Sequence, residues 1–121
     1  PPGAESLARV ITAYIDPRKR DNPGESCPLP SLSGELVRAN PEVRHAFTEA
    51  LGEYMERLAA LLPPDVAARG EDQELALAAT MVGAVLLARA VDDPELSDRI
   101  LAAGRAFAVE AFASAGETDQ A

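Results

Sequence analysis

The chain has 121 residues, 47% of them hydrophobic, and its 11 Lys+Arg against 20 Asp+Glu leave a formal net charge of −9. That length fits one domain, 1–121, around one core, and the ordinary balance of apolar and charged residues excludes wholesale disorder. The acid excess excludes nucleic-acid binding by this chain as it stands, because such affinity rests on Lys and Arg neutralising phosphates.

The ten prolines punctuate the chain. Proline is costly inside a helix and tolerated in a first turn, so the stretches between them, rich in Ala, Leu, Glu and Arg, are helix candidates. No segment alternates with period two for long, so the expected class is all-α, a bundle of about five helices. No basic-then-apolar leader opens the chain, and Pro1 in place of Met reads as the start of a fragment. The first helix is expected over 5–15, with Leu7, Val10, Ile11, Tyr14 and Ile15 on one buried stripe. Asp16-Pro17 stops it, and 18–30 reads as a polar connection. A short helix is expected over 31–39, turning Leu32, Leu36 and Val37 inward.

The third helix opens at Asn40-Pro41, a cap followed by proline, and runs to Leu62 before Pro63-Pro64. Val43, Phe47, Ala50, Leu51, Tyr54, Met55, Leu58, Leu61 and Leu62 share its apolar side; Glu42, His45, Glu49, Glu53 and Glu56 share the other. The fourth, over 72–91, has no charge between Leu75 and Ala88 and is apolar all round. Leu75, Ala79, Val82 and Leu86 lie on one side, with Leu77, Met81, Ala84 and Ala88 nearly opposite. Its apolar run still falls short of the ~20 residues of a membrane helix, so no membrane is expected. The last helix, over 94–112 with Asp93 as cap, carries the stripe Leu96, Ile100, Ala103, Phe107 and Ala111, widened by Leu101, Ala108 and Phe112. Residues 114–121 read as a frayed polar tail.

A helix apolar all round must be covered all round, and the few remaining helices reach one side only. The last two helices are therefore expected to form a four-helix interface with a second copy, through Leu75, Ala79, Val82, Gly83, Leu86, Leu96, Ile100 and Phe107. Small residues at Ala76, Ala79, Gly83, Ala84, Ala103 and Gly104 would allow close backbone approach.

Catalysis finds no candidate machinery. Glu42, His45 and Glu49 have metal-ligand spacing but no second His or Cys, and read as a solvated face, so neither metal nor cofactor is expected. Cys27 has no histidine positioned to activate it and reads as a buried or pocket-lining thiol. One cysteine leaves no internal disulfide framework, as suits a reducing cytoplasm. Tyr14, Phe47, Tyr54, Met55 and Met81 fall on inward arcs, where they line an apolar cavity or simply pack the core. Arg44, near the apolar arc of the third helix, meets an anionic ligand group or lies as a snorkelling stem.

Tyr14-Ile15 leads into Arg20-Asp21-Asn22-Pro23 and Ser26-Cys27-Pro28, and a later run reads Ala88-Arg89-Ala90-Val91-Asp92-Asp93-Pro94-Glu95-Leu96-Ser97. In order and spacing these resemble the ligand-binding region of a subgroup of tetracycline-repressor-like (TetR family) regulators. Ser26 stands where that subgroup has glycine, and Ile15 where it has leucine. The resemblance spans about 7–112, including 40–62 and 80–100. It implies the sensing half of a one-component regulator, usually a repressor, dimerising through its last two helices. It further implies a cavity for a hydrophobic or amphipathic small molecule, to which Tyr14, Phe47, Leu51, Tyr54 and Met81 contribute. DNA would be bound only through an N-terminal helix-turn-helix, which this chain does not contain. The alternative is a helical dimeric interaction module without a ligand. Mixed with a DNA duplex at physiological salt, a chain this acidic is expected to cause no band retardation in an electrophoretic shift assay.

Overall fold

The structure, a computed structural model, describes residues 3–22 and 35–113. Every regular element among them is helical: α1 (Ala4–Tyr14), α2 (Pro17–Asp21), α3 (Pro41–Ala59), α4 (Pro64–Ala67), α5 (Gln73–Ala90) and α6 (Pro94–Ala108), which runs into a π-helical turn, Val109–Ala113. The all-α bundle expected from the proline spacing is the fold. Cys27, Leu32 and the tail from 114 lie outside the described residues.

Prolines open helices here as well as closing them. Asn40 accepts a hydrogen bond from the Val43 amide at 2.9 Å, and Asp93 accepts from Glu95 and Leu96 at 3.0 and 3.3 Å. Asp16-Pro17 uses the same device: Asp16 accepts from the Arg18 amide at 2.8 Å, and α2 forms where a polar connection was expected. Proline ends α1 because it cannot continue that helix, yet its fixed φ suits the first turn of the next. Pro64 likewise begins α4. Asp72, at φ 67°, makes the left-handed bend before α5, a conformation Asp tolerates better than most residues.

The core joins Leu7 and Ile11 of α1 and Ile15 just after it to Met55 and Leu58 of α3, Val66 of α4, Leu77, Met81 and Val85 of α5, and Leu101, Ala108 and Phe112 along α6 and its π-helical turn. α5 and α6 form a hairpin. Near its turn the Ser97 hydroxyl donates to the Ala88 carbonyl at 2.7 Å, and further along Gly104 lies against Ala84. Ala84 and Gly104 are thus spent on the crossing within the subunit and are not free for a second copy, as their small size had suggested. Gly83 has open space where a side chain would stand.

Other expectations need correction. Val37 does not face inward; it follows the helical pair Glu35–Leu36 in a turn and is 72% exposed. Val43 and Ala50 are exposed too, because α3 meets the core only along its C-terminal half. The last helix is not α-helical to residue 112. From Val109 it winds wider, bringing both Phe112 and Ala113 into buried contact beside α1. Arg69 donates to the Ala111 carbonyl within that turn. Finally, α5 is long and apolar enough to cross a membrane by length and composition, with 18 residues and mean hydropathy 1.3. Leu77, Met81, Ala84, Val85 and Ala88 of this helix are nonetheless packed inside the bundle.

A β-carbon on Gly104 would sit 2.7 Å from that of Ala84, an atom fixed to backbone. Gly104→Val is therefore expected to destabilise the fold by about 2–3 kcal/mol, as overpacking does. Urea denaturation checks this, and Ala84→Gly in the same chain should recover part of the loss.

Candidate functional site

Burial rises along α3 from exposed Val43, through half-buried Phe47 and Leu51, to buried Met55 and Leu58. The helix meets the core, α5 included, along its C-terminal half and is exposed towards its start. Between α3 and α5 is an open groove of about 280 Å³, lined by Phe47, Leu51 and Met55 from α3 and by Leu75, Ala78, Ala79 and Val82 from α5. Every lining side chain is apolar. Such a surface binds by removing apolar area from water and offers no side-chain hydrogen bond to orient what enters.

The groove gathers residues that the sequence assigned to different tasks. Phe47, Leu51 and Met55 were ligand candidates; Leu75, Ala79 and Val82 were expected at a dimer contact; Ala78 was not singled out. Met81 sits elsewhere, 1% exposed in the core. Tyr14 and Tyr54 are half-buried against that core, and neither lines the groove. Arg44 lines a separate, smaller hollow of about 240 Å³ together with Leu36, Val37, Phe47 and Thr48. Phe47 is the wall the two spaces share. Ala78 was legible in principle, one turn from Leu75 and Val82 on the same helix face.

The other expected contact residues remain outside the core. Leu86 of α5 exposes 40% of its surface, and Leu96 and Phe107 of α6 expose 37% and 60%; Leu87, not singled out from the sequence, exposes 56%. Ala103 is exposed, and Ile100 and Gly83 are half-buried. α5 buries its Leu77–Ala88 side and leaves the opposite side open.

A larger, polar hollow of about 540 Å³ lies where α2 meets the α5–α6 turn, lined by Arg20, Arg89, Asp92, Ser97 and Asp98 among others. Its cations are committed. Arg20 donates to Ser97 Oγ at 2.9 Å, Asp98 Oδ1 at 2.7 Å and Asp21 Oδ1 at 2.9 Å. Arg89 donates to the carbonyls of Lys19 and Arg20 at 2.6 and 3.2 Å, and Arg105 to that of Ile15 at 2.8 Å. These arginines cap the C-termini of α1 and α2, where helix carbonyls lack partners and favour positive charge. The hollow is a clamp, with both of its arginines already engaged. Hydrogen bonds to Asp21 and Asp98 push the Arg20 pKa further above its usual value.

His45 pairs with Glu49 at 2.7 Å on the solvent side of α3, and no group of metal-binding side chains occurs among the described residues.

No family model, curated protein or solved structure matches this chain. The functional reading therefore rests on its own geometry and sequence.

Acid titration tests the clamp. The hydrogen bond from Arg20 lowers the Asp21 pKa, and the backbone hydrogen bond from Arg18 lowers that of Asp16. A carboxyl titrating lower when folded adds stability above its unfolded value of about 3.9, and that stability is lost as pH falls through the folded value. Urea midpoints at constant ionic strength should thus stay flat from about pH 7 to 5 and fall below about 4. Arg20→Met should flatten the part of that fall owed to Asp21.

Proposed function

We propose that this chain is the effector-sensing and homodimerising domain of a TetR-like one-component transcriptional regulator working in the cytoplasm, most simply a repressor. The observation carrying the reading is the open groove between α3 and α5, wholly apolar and about 280 Å³, just below the usual range for small-molecule sites and so suited to a small or slender ligand. The effector that suits it is a hydrophobic or amphipathic small molecule. The resemblance in the Tyr14–Pro28 and Ala88–Ser97 segments supports the family, and the exposed apolar residues of α5 and α6 support pairing with a second copy. Five of them, Leu75, Leu86, Leu87, Leu96 and Phe107, are large, and exposed apolar side chains in such numbers are what an association surface is built from.

The groove and the exposed face belong to the same helix. A ligand wedged between α3 and α5 would press on Leu75, Ala79 and Val82, one side of the helix whose Leu86–Leu87 end lies exposed for a partner. In an intact regulator, such a shift would alter the spacing of two DNA-binding heads, by as much as the ligand's differential affinity for the two arrangements allows. The second reading, a dimeric interaction module, draws on the same lining: a groove without polar side chains also suits the apolar face of a helix.

Thermal-shift screening with a library of apolar and amphipathic compounds separates them. Sensing predicts saturable stabilisation, about 2.7 kcal/mol at a hundredfold excess over Kd, lost when Ala79→Phe fills the groove. A library without a hit favours the module. Light scattering tests pairing: Leu86→Glu and Phe107→Glu should each give monomer or aggregate, because each puts an unpaired charge into an apolar contact. An unchanged dimer in both variants rejects this face.

A further inference from the structure

Arg44, Phe47, Thr48, Leu51 and Met55 follow one another at helical spacing on a single face of α3. From Met55 to Arg44 that face extends about 16 Å at 1.5 Å per residue. The apolar groove occupies its Met55–Phe47 end, and the smaller hollow occupies its Phe47–Arg44 end. The half-buried Phe47 lines both. Among the five residues lining the smaller hollow Arg44 alone is charged, and among the described residues no ion pair holds its guanidinium. Arg20, Arg69, Arg89 and Arg105 are by contrast tied to carboxylates or carbonyls. Thr48 donates its hydroxyl hydrogen back to the Arg44 carbonyl at 2.9 Å, so that donor is already used.

We propose that the two hollows form one continuous site for a straight-chain carboxylate, its tail along the groove and its head group on Arg44. This rests on the sensing function proposed above and narrows its effector to an amphiphilic anion. A guanidinium presents a planar fork that matches one carboxylate in two parallel hydrogen bonds, and a single arginine neutralises a single charge. The groove's alanines (Ala78 and Ala79) and its extension along α3 favour a slender chain over a fused-ring body. In a chain of net charge −9, a cation with no acidic partner among the described residues, beside an apolar channel, gives the site its sign.

The test uses decanoate, decanol and decylammonium below their micelle concentrations, titrated calorimetrically into the whole chain and into its Arg44→Met and Arg44→Lys variants. Arg44 is exposed, so neither variant threatens folding. Decanoate should bind saturably and at least tenfold more tightly than decylammonium. Arg44→Met should weaken decanoate about five- to tenfold while leaving decanol within twofold, the modest effect of a partly solvated ion pair. Arg44→Lys should restore part of the loss. Equal affinity for decanol and decanoate, or no response to Arg44→Met, overturns the carboxylate head group and leaves the groove reading standing. If decanol and decanoate both fail to bind, the groove reading itself falls. An amphipathic helical peptide that binds where neither compound competes assigns the groove to a protein partner and overturns the carboxylate site.

Discussion

The close crossing of α5 and α6, where a glycine hydrogen meets an alanine methyl, is the contact on which the remaining arrangement depends. It sets which half of α5 faces inward. With Ala84 pressed on Gly104, the neighbouring turns present Leu77, Met81, Val85 and Ala88 to the core. The opposite half, Leu75, Ala79, Val82 and Leu86, is thereby turned out. A larger residue at position 104 would separate the helices, since no flexible side-chain end is available there to yield.

The hairpin also anchors the smaller elements. α2 has only five residues and buries none of them, far too few to hold a helix by itself. It is kept in place by Arg89 from α5, which covers its terminal carbonyls, and by the reach of Arg20 to Ser97 and Asp98 on α6. Arg105 does the same for the end of α1, and Arg69 for the π-helical turn. A strongly acidic chain thus spends four of its few cations on internal joints. That choice leaves Arg44, at the far end of α3, as a cation beside an apolar surface, and this contrast gives the site its chemical character.

Much of the site could be read before folding. Phe47, Leu51 and Met55 recur on one helical face, and the all-round apolarity of α5 meant that some of it would lie outside the core. How little of the start of α3 would be covered was hidden, because periodicity reports which side of a helix is apolar and not how much of its length a neighbour covers. For that reason Val43 and Ala50 carry the right pattern and remain in water, and Leu75, Ala79 and Val82 share a groove with residues of another helix.

The helical class, the capped starts at Asn40 and Asp93, and the two sides of α5 are legible from the residues alone, since each follows from backbone sterics or from a period of 3.6 residues. It took the packed fold to make Asp16-Pro17 begin a helix, to commit Ala84 and Gly104 to a crossing within the chain, and to enclose Met81 while Met55, also in the core, reaches a groove. Those outcomes depend on distances between elements remote in the chain, where packing, hydrogen-bond partners and the space left over are set by all the helices together.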